Sequence, residues 1–483
     1  MKEKTFLILI NNAFRMASYH IAIGDSLKRK GNKVIYAFTD KMPFYIEDLN
    51  LGGADYYIFS EEFEKKYNND KLDLDVNINY NKTFFSEYDR NIVYGKMKYE
   101  GNEFYQKLIS NLSVFFEEIF QKYKVDFCIY ETISNSFAYM AYEIGLKYDV
   151  QYCGYAGSRL KNRFELYTDE FGSIKLFEEI FVNMSYDSLD ISEKNEVEDY
   201  LTSFNSPVIP SYHPKNTVLD WNFSFYKRYF NKEKFNLFIG SFRYFIDHRN
   251  KLKFGFQTGN PVKEQLKSVI KQIRKRAIVA RSRGFFDKPN YKESYFLYPQ
   301  HFKPEASTSV MARNYCNDIS VIENIAFNLP FGSYLYVKEH FVNFGRLPSS
   351  YYKKLKNIPN VKLISCDENT KELITNSKGV VTLTSTVGYE ALLLNKPVFV
   401  FGNVFYQCHP NCRKLDSFEN LFSELNNLDL DLDESINKKF VATYRKITFP
   451  GNIYYHIADE NYTKEDFSTL IINALYERFN FKV

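Results

Sequence analysis

Three stretches of sequence decide the fold: YFLYPQHFKPEAST (residues 295–308), LYVKEHF (residues 335–341) and GVVTLTSTVGYEALLLNKPVFVFGNVFY (residues 379–406). In each, a short apolar run rich in β-branched or aromatic residues stops abruptly in polar residues. The runs are Tyr295–Tyr298, Tyr334–Val337 and Val380–Leu383. Runs of this kind, alternating with helical segments, are typical of buried parallel strands. This part of the chain is therefore predicted to be a Rossmann-like α/β domain.

Polar residues follow all three runs. In an open α/β sheet, ligands bind where loops leave the carboxyl ends of the strands, so these residues are candidates for one site. Thr384–Thr386 offer hydroxyls and backbone N–H groups just before a helix predicted to begin near Gly388, which suits an anion. We expect a nucleotide-activated donor to bind here. The candidate donor-binding residues are His301, Glu305, Lys338, His340, Thr384, Ser385, Thr386, Gly388 and Glu390.

Each candidate has a chemical explanation and a plainer structural one. Lys338 and His340 could both donate to a phosphate, and His340 could stabilise a leaving phosphate. Gly388 would let backbone approach a ligand closely, and Glu390, expected in the first helical turn, could hold ribose hydroxyls. The structural explanations are a capped helix N-terminus, a lysine on a loop and a core-packed His301. Singly these signals are weak, but as an ordered set they favour a donor site.

The first part of the chain also alternates strands and helices, which predicts an N-terminal Rossmann-like acceptor domain over residues 1–185. The predicted strands include Phe6–Ile10, Lys33–Phe38, Val125–Tyr130 and Val150–Tyr155. The loop after the first strand, residues 11–15, lacks the glycine pattern of a dinucleotide site.

Glu131 follows one of these strands and is the first candidate for a general base, with Asp40 and His20 behind it. A carboxylate at a strand's carboxyl end could face a cleft between two domains and deprotonate an acceptor hydroxyl. The alternative is that Glu131 is a charge at a helix N-terminus that satisfies free backbone amides.

Residues 186–291 lose the alternation and are predicted to be a helical connector or insertion. Within it, Val262–Arg283 has apolar residues on one helical face and lysines four residues apart on another. A helix of this kind can lie on an anionic membrane surface. The solvated face of a core-packed helix explains the pattern equally well. The donor domain is predicted over residues 292–455, and a helix in 456–483 is expected to pack back on the first domain.

Composition limits the classes of function. The chain has 483 residues and a net charge of +4, which suits two domains and gives no argument for a nucleic-acid partner. No apolar stretch has the length of a transmembrane helix, and the N-terminal run FLILI is too short for a signal peptide. The six scattered cysteines are expected to be reduced thiols. These features predict a cytoplasmic protein, with peripheral attachment to the inner face of the cytoplasmic membrane left open.

Neither a metal site nor a cofactor is expected. Cys408, His409 and Cys412 lie close together in the sequence. They offer only three ligands, at an atypical spacing and without a second cysteine pair, so a zinc site is not predicted.

The ordered motifs YPxHFxPEAST, IExIAxxLP, LYVKEH and TxTxGYEALLxxKPVxVFGxxFY resemble those of the bacterial capsule polysaccharide biosynthesis proteins. That family includes Kdo-transferase-like GT-B glycosyltransferases of capsule and lipopolysaccharide assembly. The resemblance covers residues 295–406 well and the first domain only by architecture. It implies two Rossmann-like domains facing across a cleft and metal-independent transfer from a nucleotide sugar, often CMP-linked.

Carried over residue by residue, the resemblance makes His340 the histidine of the family's His-Pro motif and Thr384–Thr386 its hydroxyl-rich phosphate loop. The chain departs from the family at Phe341, where the proline is expected, and at Ser385, where a small glycine is expected. The residue eight positions after Glu390 is Val398, so the paired-glutamate signature of many retaining GT-B enzymes is missing. This favours inversion, with Glu131 and His340 as the catalytic candidates.

The sequence thus predicts an inverting, metal-independent glycosyltransferase of surface polysaccharide assembly. Its substrates would be a nucleotide sugar, with a CMP-linked one favoured, and a saccharide or lipid-linked acceptor. Three alternatives remain open: a polyol-phosphate or phospho-group transferase with a CDP-linked donor, an enzyme of the UDP-GlcNAc 2-epimerase type, and a non-catalytic scaffold for capsule assembly.

Overall fold

The computed structural model describes residues 3–13, 15–68, 74–94, 101–205, 232–303, 305–431, 433–453 and 462–480. Residues 206–231 of the predicted connector, and residues 456–461 and 481–483 of the predicted C-terminal segment, lie outside the described residues.

The strands form two sheets, numbered here in chain order. They are β1 (Thr5–Ile10), β2 (Lys33–Phe38), β3 (Asp55–Ile58), β4 (Phe127–Glu131), β5 (Gln151–Gly157), β6 (Arg163–Tyr167), β7 (Tyr295–Pro299), β8 (Tyr334–Lys338), β9 (Val361–Ile364), β10 (Val380–Thr382), β11 (Val398–Val400), β12 (Cys412–Lys414) and β13 (Thr448–Pro450).

The helices connect these strands in both parts of the chain. They are α1 (Met16–Arg29), α2 (Met42–Ile46), α3 (Phe59–Lys66), α4 (Tyr80–Tyr94), α5 (Asn102–Tyr123), α6 (Ser136–Lys147), α7 (Ile174–Asn183), α8 (Ile191–Asn205), α9 (Lys232–His248), α10 (Pro261–Ser282), α11 (Ala306–Ser309), α12 (Asp318–Phe327), α13 (Ser349–Lys356), α14 (Thr370–Asn376), α15 (Thr386–Leu393), α16 (Leu421–Asn426), α17 (Glu434–Ile447) and α18 (Lys464–Phe479).

Unit 1 comprises residues 1–172, 221–268 and 448–483 and is built on a sheet of order β13-β6-β5-β4-β1-β2-β3. The five strands from β5 to β3 are parallel, whereas β6 and β13 run antiparallel to their neighbours. All five residues from Phe6 to Ile10 are buried, as expected for a central strand covered on both faces. Helix α18 contributes Phe467, Ile471 and Leu475 to the same apolar core as β1.

Unit 2 comprises residues 173–220 and 269–447 and is built on an all-parallel sheet of order β12-β11-β10-β7-β8-β9. Its core packs the inner residues of the strands against α12, α13 and α16. The two largely parallel sheets confirm the predicted α/β class with two Rossmann-like units. The predicted cleft between them stays a prediction.

Several elements differ from the sequence-based expectation. Strands β3, β6, β12 and β13 were not predicted; β12 and β13 have three residues each, too few to show a period. The polar, asparagine-rich composition of Glu61–Asn91 predicts an insertion or long loops, but the stretch includes most of α3 and most of α4. Helix α4 turns polar residues inward, where Glu87 accepts a hydrogen bond from the Ser136 hydroxyl at 2.8 Å, so its buried face has no apolar pattern.

The segment expected to be a connector is divided between the two units. Residues 221–268 group with unit 1, while residues 186–220 and 269–291 group with unit 2. Helix α9 packs on α2, which explains why the first of these parts belongs with unit 1. The predicted limits 1–185, 186–291, 292–455 and 456–483 stay predictions as a domain assignment.

Among the described residues, no helix is long and apolar enough to cross a bilayer. The six cysteines are all free thiols.

Candidate functional site

The candidate site lies at the carboxyl edge of the unit 2 sheet. Strand β7 lies between β8 and β10 in the sheet. From β7 the chain continues to β8 and β9 on one side and later returns to β10 on the other, so the strand order reverses between β7 and β10. This position is the switch point of the sheet. Ligands of open α/β sheets bind outside the strand ends at such a switch point. The residues that the sequence predicts for donor binding lie in the loops that leave β7, β8 and β10, except Lys338, the last residue of β8, and Thr386, Gly388 and Glu390, which belong to α15.

His301 joins two of these strand ends. Its Nε2 accepts a hydrogen bond from the backbone N–H of Thr384 at 3.2 Å and lies 3.4 Å from the Thr382 hydroxyl. Its own carbonyl accepts from Asn343 at 2.9 Å. Burial lowers the pKa of His301 to about 3, so the ring is neutral, and because Nε2 accepts, Nδ1 carries the proton. His301 is core-packed, and it ties the loops after β7, β8 and β10 together.

Two polar atoms just after β7 have no partner. The Nδ1 atom of His301 and the Oε1 atom of Gln300 are buried and make no hydrogen bond within the described part of the chain. An unpaired buried donor or acceptor costs about 1–3 kcal/mol, so such atoms are uncommon in native proteins. Their presence at the switch point fits a site that a polar ligand or water completes.

Lys338 is the last residue of β8, paired with Pro299 and Ile364 of the flanking strands. It was expected just past the strand end, but only 9% of it is exposed. Its ammonium group donates to the carbonyl of Cys366 at 3.0 Å. Burial lowers the pKa of Lys338, while the nearby charges of Glu390 and Glu339 oppose that shift. A buried ammonium group at a strand end is suited to an anionic ligand.

Glu339 is buried next to Lys338 and organises the turn that follows. One carboxylate oxygen accepts from the backbone N–H of His340 at 2.7 Å, and the other accepts from the Tyr352 hydroxyl at 2.5 Å. Burial raises the pKa of Glu339 to about 7, against the effect of these two donors. The carboxyl group therefore positions the backbone of His340.

His340 is half-buried in an aromatic setting. Its ring stacks on Phe341 and Phe302, with ring centroids 4.7 Å and 6.1 Å away. Its Nδ1 accepts from the backbone N–H of Val342 at 3.3 Å, which places the donor proton of the neutral ring on Nε2. Phe341 stands where the family's proline is expected and holds the imidazole by stacking.

Ser385 is the N-cap of α15, and its hydroxyl accepts from the backbone N–H of Val387 at 3.2 Å. The helix begins at Thr386, two residues before the start expected at Gly388. The hydroxyl of Thr384 donates to the carbonyl of Ser307 at 2.8 Å. The Ser385 bond agrees with the structural explanation left open by the sequence, a capped helix N-terminus. The Thr384 bond holds the loop that precedes α15 in place.

The structure gives Gly388 a packing role. A Cβ atom at this position would lie 2.5 Å from the hydroxyl oxygen of Tyr406, and that hydroxyl donates to the carbonyl of Ser385 at 2.5 Å. Glycine at 388 lets Tyr406 reach the cap of α15. The space expected for a ligand is therefore occupied by a side chain.

The two acidic candidates lie in different settings. Glu390 is the fifth residue of α15 rather than part of its first turn and is only 3% exposed, with its charge near Lys338 and Lys371. Glu305 is exposed and is the N-cap residue of α11, where one of its carboxylate oxygens lies 3.5 Å from the Ser307 hydroxyl. Glu390 thus belongs to the buried charge cluster around Lys338, while Glu305 lies at the surface.

Unit 1 has a second polar edge at its own switch point, between β1 and β4. The Asn11 amide, after β1, donates to the Tyr130 hydroxyl in β4 at 2.5 Å. Asn135 caps α6 by accepting from two backbone N–H groups, and its amide lies 3.3 Å from the same hydroxyl. Glu131, the last residue of β4, is partly exposed at this edge, and its carbonyl accepts from Tyr152 at 2.8 Å.

The two reserve candidates for the general base are buried within unit 1. His20 donates from Nδ1 to the Met16 carbonyl at 2.9 Å and lies 3.0 Å from the Tyr155 hydroxyl through Nε2. Burial lowers the pKa of His20 to about 4. Because the ring is fully buried with both nitrogens engaged, His20 is a core histidine and not an accessible base.

Asp40 is also fully buried. It accepts from the Thr258 hydroxyl at 2.6 Å, the Asn12 amide at 2.7 Å and the Met42 N–H at 2.7 Å. Burial raises the pKa of Asp40 against the effect of these donors. Asp40 therefore anchors the segment containing Thr258 to the end of β2, which is a structural role.

Within the described residues, no group of three or more His, Cys, Asp or Glu side chains is placed to hold a metal ion. His409, from the sequence cluster considered for zinc, bonds Asn437 at 3.2 Å instead.

Sequence reasoning missed several residues of the two edges. Thr382 lies inside an apolar run, and Asn343 and Tyr406 lie far along the chain from the groups that they bond. Thr258 is 218 residues from Asp40. A pattern in one sequence carries no signal for such long-range polar pairs.

Comparison with known proteins identifies the segment that carries the candidate site. Residues 253–411 match the model of the family described as capsule polysaccharide biosynthesis protein, about a third of the chain. Over 147 residues the chain is 30% identical to the capsule polysaccharide export protein KpsS of Escherichia coli. This alignment covers 30% of the chain and 36% of KpsS, so the chain spans about a third of the curated relative that it matches.

Solved structures with some likeness include two types of protein. The β-Kdo 2,7-transferase of Thermosulfurimonas dismutans KpsC is 12% identical, with a TM-score of 0.37 over 74% of this chain and 88% of that one. A putative UDP-N-acetylglucosamine 2-epimerase from Listeria monocytogenes is 11% identical, with a TM-score of 0.27 over 100% of this chain and 98% of that one. Both TM-scores are low, so neither match assigns an activity. The family match confirms the resemblance that the motifs predict: residues 253–411 are similar to the capsule polysaccharide biosynthesis proteins.

Proposed function

We propose that the protein is a GT-B-type glycosyltransferase of capsule or other surface polysaccharide assembly, using a nucleotide-activated sugar. One observation carries the proposal: His301, Lys338 to His340 and Thr384 to Thr386 meet at the switch point of one parallel sheet. That edge lies wholly within the segment that matches the capsule family.

The geometry of unit 2 supports the proposed roles. The ammonium group of Lys338 is the cation for a donor phosphate, and the capped N-terminus of α15 supplies backbone N–H groups and a positive helix end. His340 presents Nε2–H as a neutral donor, because its Nδ1 accepts from Val342. In the proposed reaction His340 stabilises the leaving phosphate.

The finer chemistry is part of the same proposal. Inversion would require one general base, taken to be Glu131, that deprotonates the acceptor hydroxyl as the donor phosphate leaves. Metal independence is proposed because Lys338, His340 and the α15 N-terminus would together neutralise the phosphate charge. A CMP-linked donor is favoured by the family resemblance. The acceptor would be a saccharide or a lipid-linked saccharide bound by unit 1.

A cytoplasmic location, with a peripheral position at the inner face of the cytoplasmic membrane, is likewise proposed. Val262–Arg283, for which a membrane surface and a core-packed helix were both left open, corresponds to α10, in which Leu266 and Ile270 are 58% and 49% exposed. Apolar side chains with this exposure are typical of a surface that binds a partner. They argue against the alternative in which the apolar face of the helix is packed on a core.

The experiment is thermal unfolding of the protein with CMP, CDP, UDP and GDP, followed by titration of the best ligand. A ligand that binds the native state raises its melting temperature, so the nucleotide that the site accepts should give the largest shift. Lys338→Met should weaken its binding by about 10- to 150-fold, because a charge-assisted hydrogen bond is lost. Lys378→Met, a change to an exposed lysine of the same unit, should leave binding unchanged.

The outcomes separate the proposal from its alternatives. Analysis of the reaction product separates three of them. A glycoside supports the proposal, whereas a phosphodiester would assign the phospho-group transferase alternative and an epimer the epimerase alternative. Absence of stabilisation by all four nucleotides would leave the scaffold alternative and overturn the donor site. Melting temperatures of the unliganded variants show whether Lys338→Met also alters stability.

A further inference from the structure

Helix α9 of unit 1 has an apolar stripe that faces away from the protein. Phe235, Phe238, Phe242 and Ile246 are between 39% and 62% exposed. Successive residues of an α-helix are about 100° apart, so these four lie within an arc of about 80°. Four large apolar side chains in one exposed stripe are unusual on a surface that meets only water.

The opposite face of α9 is anchored, so the helix cannot turn the stripe inward. Gly240 packs against the backbone of α2, where an added Cβ would lie 2.3 Å from the Tyr45 carbonyl oxygen. The rings of Tyr45 and Tyr244 pack edge to face with centroids 5.5 Å apart. The Tyr45 hydroxyl also donates to Asp247 at 2.8 Å. The stripe is therefore held outward by a separate, buried interface.

The charged residues that border the stripe distinguish between its possible binding partners. Helical geometry places the exposed Lys232 and Arg243 along one border and the exposed Lys234 along the other. The acidic residues described in α9, Glu233 and Asp247, project toward the anchored side, where Glu233 pairs with Arg15 at 2.8 Å. An apolar stripe bordered by cations is complementary to an anionic bilayer surface, in which apolar side chains enter the interface and cations meet the headgroups.

Helix α10 extends the same kind of surface within unit 1. The Gln265 amide donates to the Ser241 hydroxyl of α9 at 2.5 Å, which links the two helices. Leu266 is 58% exposed, and Lys263 is also exposed. The linked helices thus present further apolar and cationic side chains outside the stripe.

We propose that the outward face of α9, formed by Phe235, Phe238, Phe242 and Ile246 with its bordering cations, docks unit 1 on an anionic phospholipid surface. The side chains enter the headgroup region without crossing the bilayer. This surface does not depend on the proposed transferase activity, since its residues lie outside the donor site. It extends the membrane surface predicted for Val262–Arg283 to a helix that the sequence did not single out.

The test is flotation of the full chain with phosphatidylcholine vesicles, with and without phosphatidylserine, at low and high salt. Binding should require phosphatidylserine and should fall in high salt, which screens charges over distances beyond a few ångströms. Phe235→Ser with Phe242→Ser should lower the partition coefficient at least about tenfold. Lys232→Glu with Arg243→Glu should do the same in low salt and have a smaller effect in high salt.

A matched control uses exposed phenylalanines elsewhere. Phe327 and Phe331 of unit 2 are 86% and 108% exposed, so Phe327→Ser with Phe331→Ser removes as much apolar surface outside α9 and should leave vesicle binding unchanged. Unaltered melting temperatures show that the α9 variants fold. Equal loss with the control pair, or full binding of the α9 variants, would overturn the proposal. So would a wild-type dimer in light scattering that Phe235→Ser with Phe242→Ser dissociates, because the stripe would then bind a second copy.

Discussion

The carboxyl edges of the two sheets share a plan but differ in chemistry. The unit 2 edge carries the buried Lys338 and Glu339 and a helix N-terminus capped by Ser385. At the unit 1 edge, Asn11, Tyr130 and Asn135 form a network of amides and a hydroxyl, and the partly exposed Glu131 is the last residue of β4.

This difference indicates that the two edges suit different ligands. A charged ligand such as a phosphate needs compensating charge and N–H donors, which the unit 2 edge supplies. Amide and hydroxyl groups, which both donate and accept, suit the hydroxyls of a neutral sugar, and the unit 1 edge is built from them. Under the proposed function, the unit 2 edge would bind the donor and the unit 1 edge the acceptor.

The largest expected effect tests Glu131, the partly exposed carboxylate at the end of β4. Glu131→Gln should lower kcat of sugar transfer by about 10²- to 10⁴-fold, the usual contribution of a general base, with little change in donor KM. Asp40→Asn is the matched comparison, because Asp40 is buried among Thr258, Asn12 and Met42 and should affect melting temperature more than kcat. Near-normal turnover of Glu131→Gln would remove the proposed asymmetry between the edges.

A smaller effect tests the scaffold of the unit 2 edge. Gly388→Ala should destabilise the protein by about 2 kcal/mol, because its Cβ would overlap the Tyr406 hydroxyl. The variant should also weaken nucleotide binding if the α15 cap holds the phosphate. Chemical denaturation measures the first effect and ligand titration the second.

Two further variants isolate the Tyr406 contact. Tyr406→Phe should relieve only part of the destabilisation when combined with Gly388→Ala, since it removes the hydroxyl oxygen 2.5 Å from the new Cβ but leaves ring carbons at 2.8 Å and 3.0 Å. At Gly284 an added Cβ would have no neighbour within 4 Å, so Gly284→Ala should be harmless. Equal destabilisation at both glycines would contradict the packing explanation.

The smallest effect concerns the pH dependence that Glu339 gives to unit 2. Burial raises the pKa of Glu339 to about 7 from its ordinary value of 4.5, so the native state binds this proton more tightly than the unfolded chain. Its contribution to stability is present below about pH 4.5 and is lost as pH rises through about 7. The melting temperature of Glu339→Gln, measured relative to that of wild type, should therefore increase by a few degrees as pH is raised from about 4.5 to about 8. Glu419→Gln, at an exposed site, should show no such gain.

Much of the fold could be predicted because its strands are buried runs with clear ends. Lys33–Phe38 agrees with the structure at both limits, and the runs Tyr295–Tyr298, Tyr334–Val337 and Val380–Leu383 differ from β7, β8 and β10 by one residue at one end. The short β13 could not be found, since it is a strand only through pairing with β6, far away in the sequence.

For the candidate site, the sequence identified the strand ends but not the bonds between them. The order of the motifs placed His301, Lys338 and Thr384 at one sheet edge, because the carboxyl ends of parallel strands meet there. It could not show that Ser385 is an N-cap, that Gly388 accommodates Tyr406 or that His20 is buried. Those facts depend on which side chains fill the remaining space, and tertiary packing decides that.

The return of the chain to unit 1 after unit 2 has a consequence for synthesis on the ribosome. Unit 1 needs β13 to cover β6, and α18 to complete the core around α1, yet residues 448–483 follow every residue of unit 2. Unit 2 can therefore close its sheet first, while the nascent unit 1 still exposes the apolar surface that α18 will cover. We expect residues 448–483 to dock on unit 1 after unit 2 has folded, so the risk of aggregation should last until these residues have been synthesised.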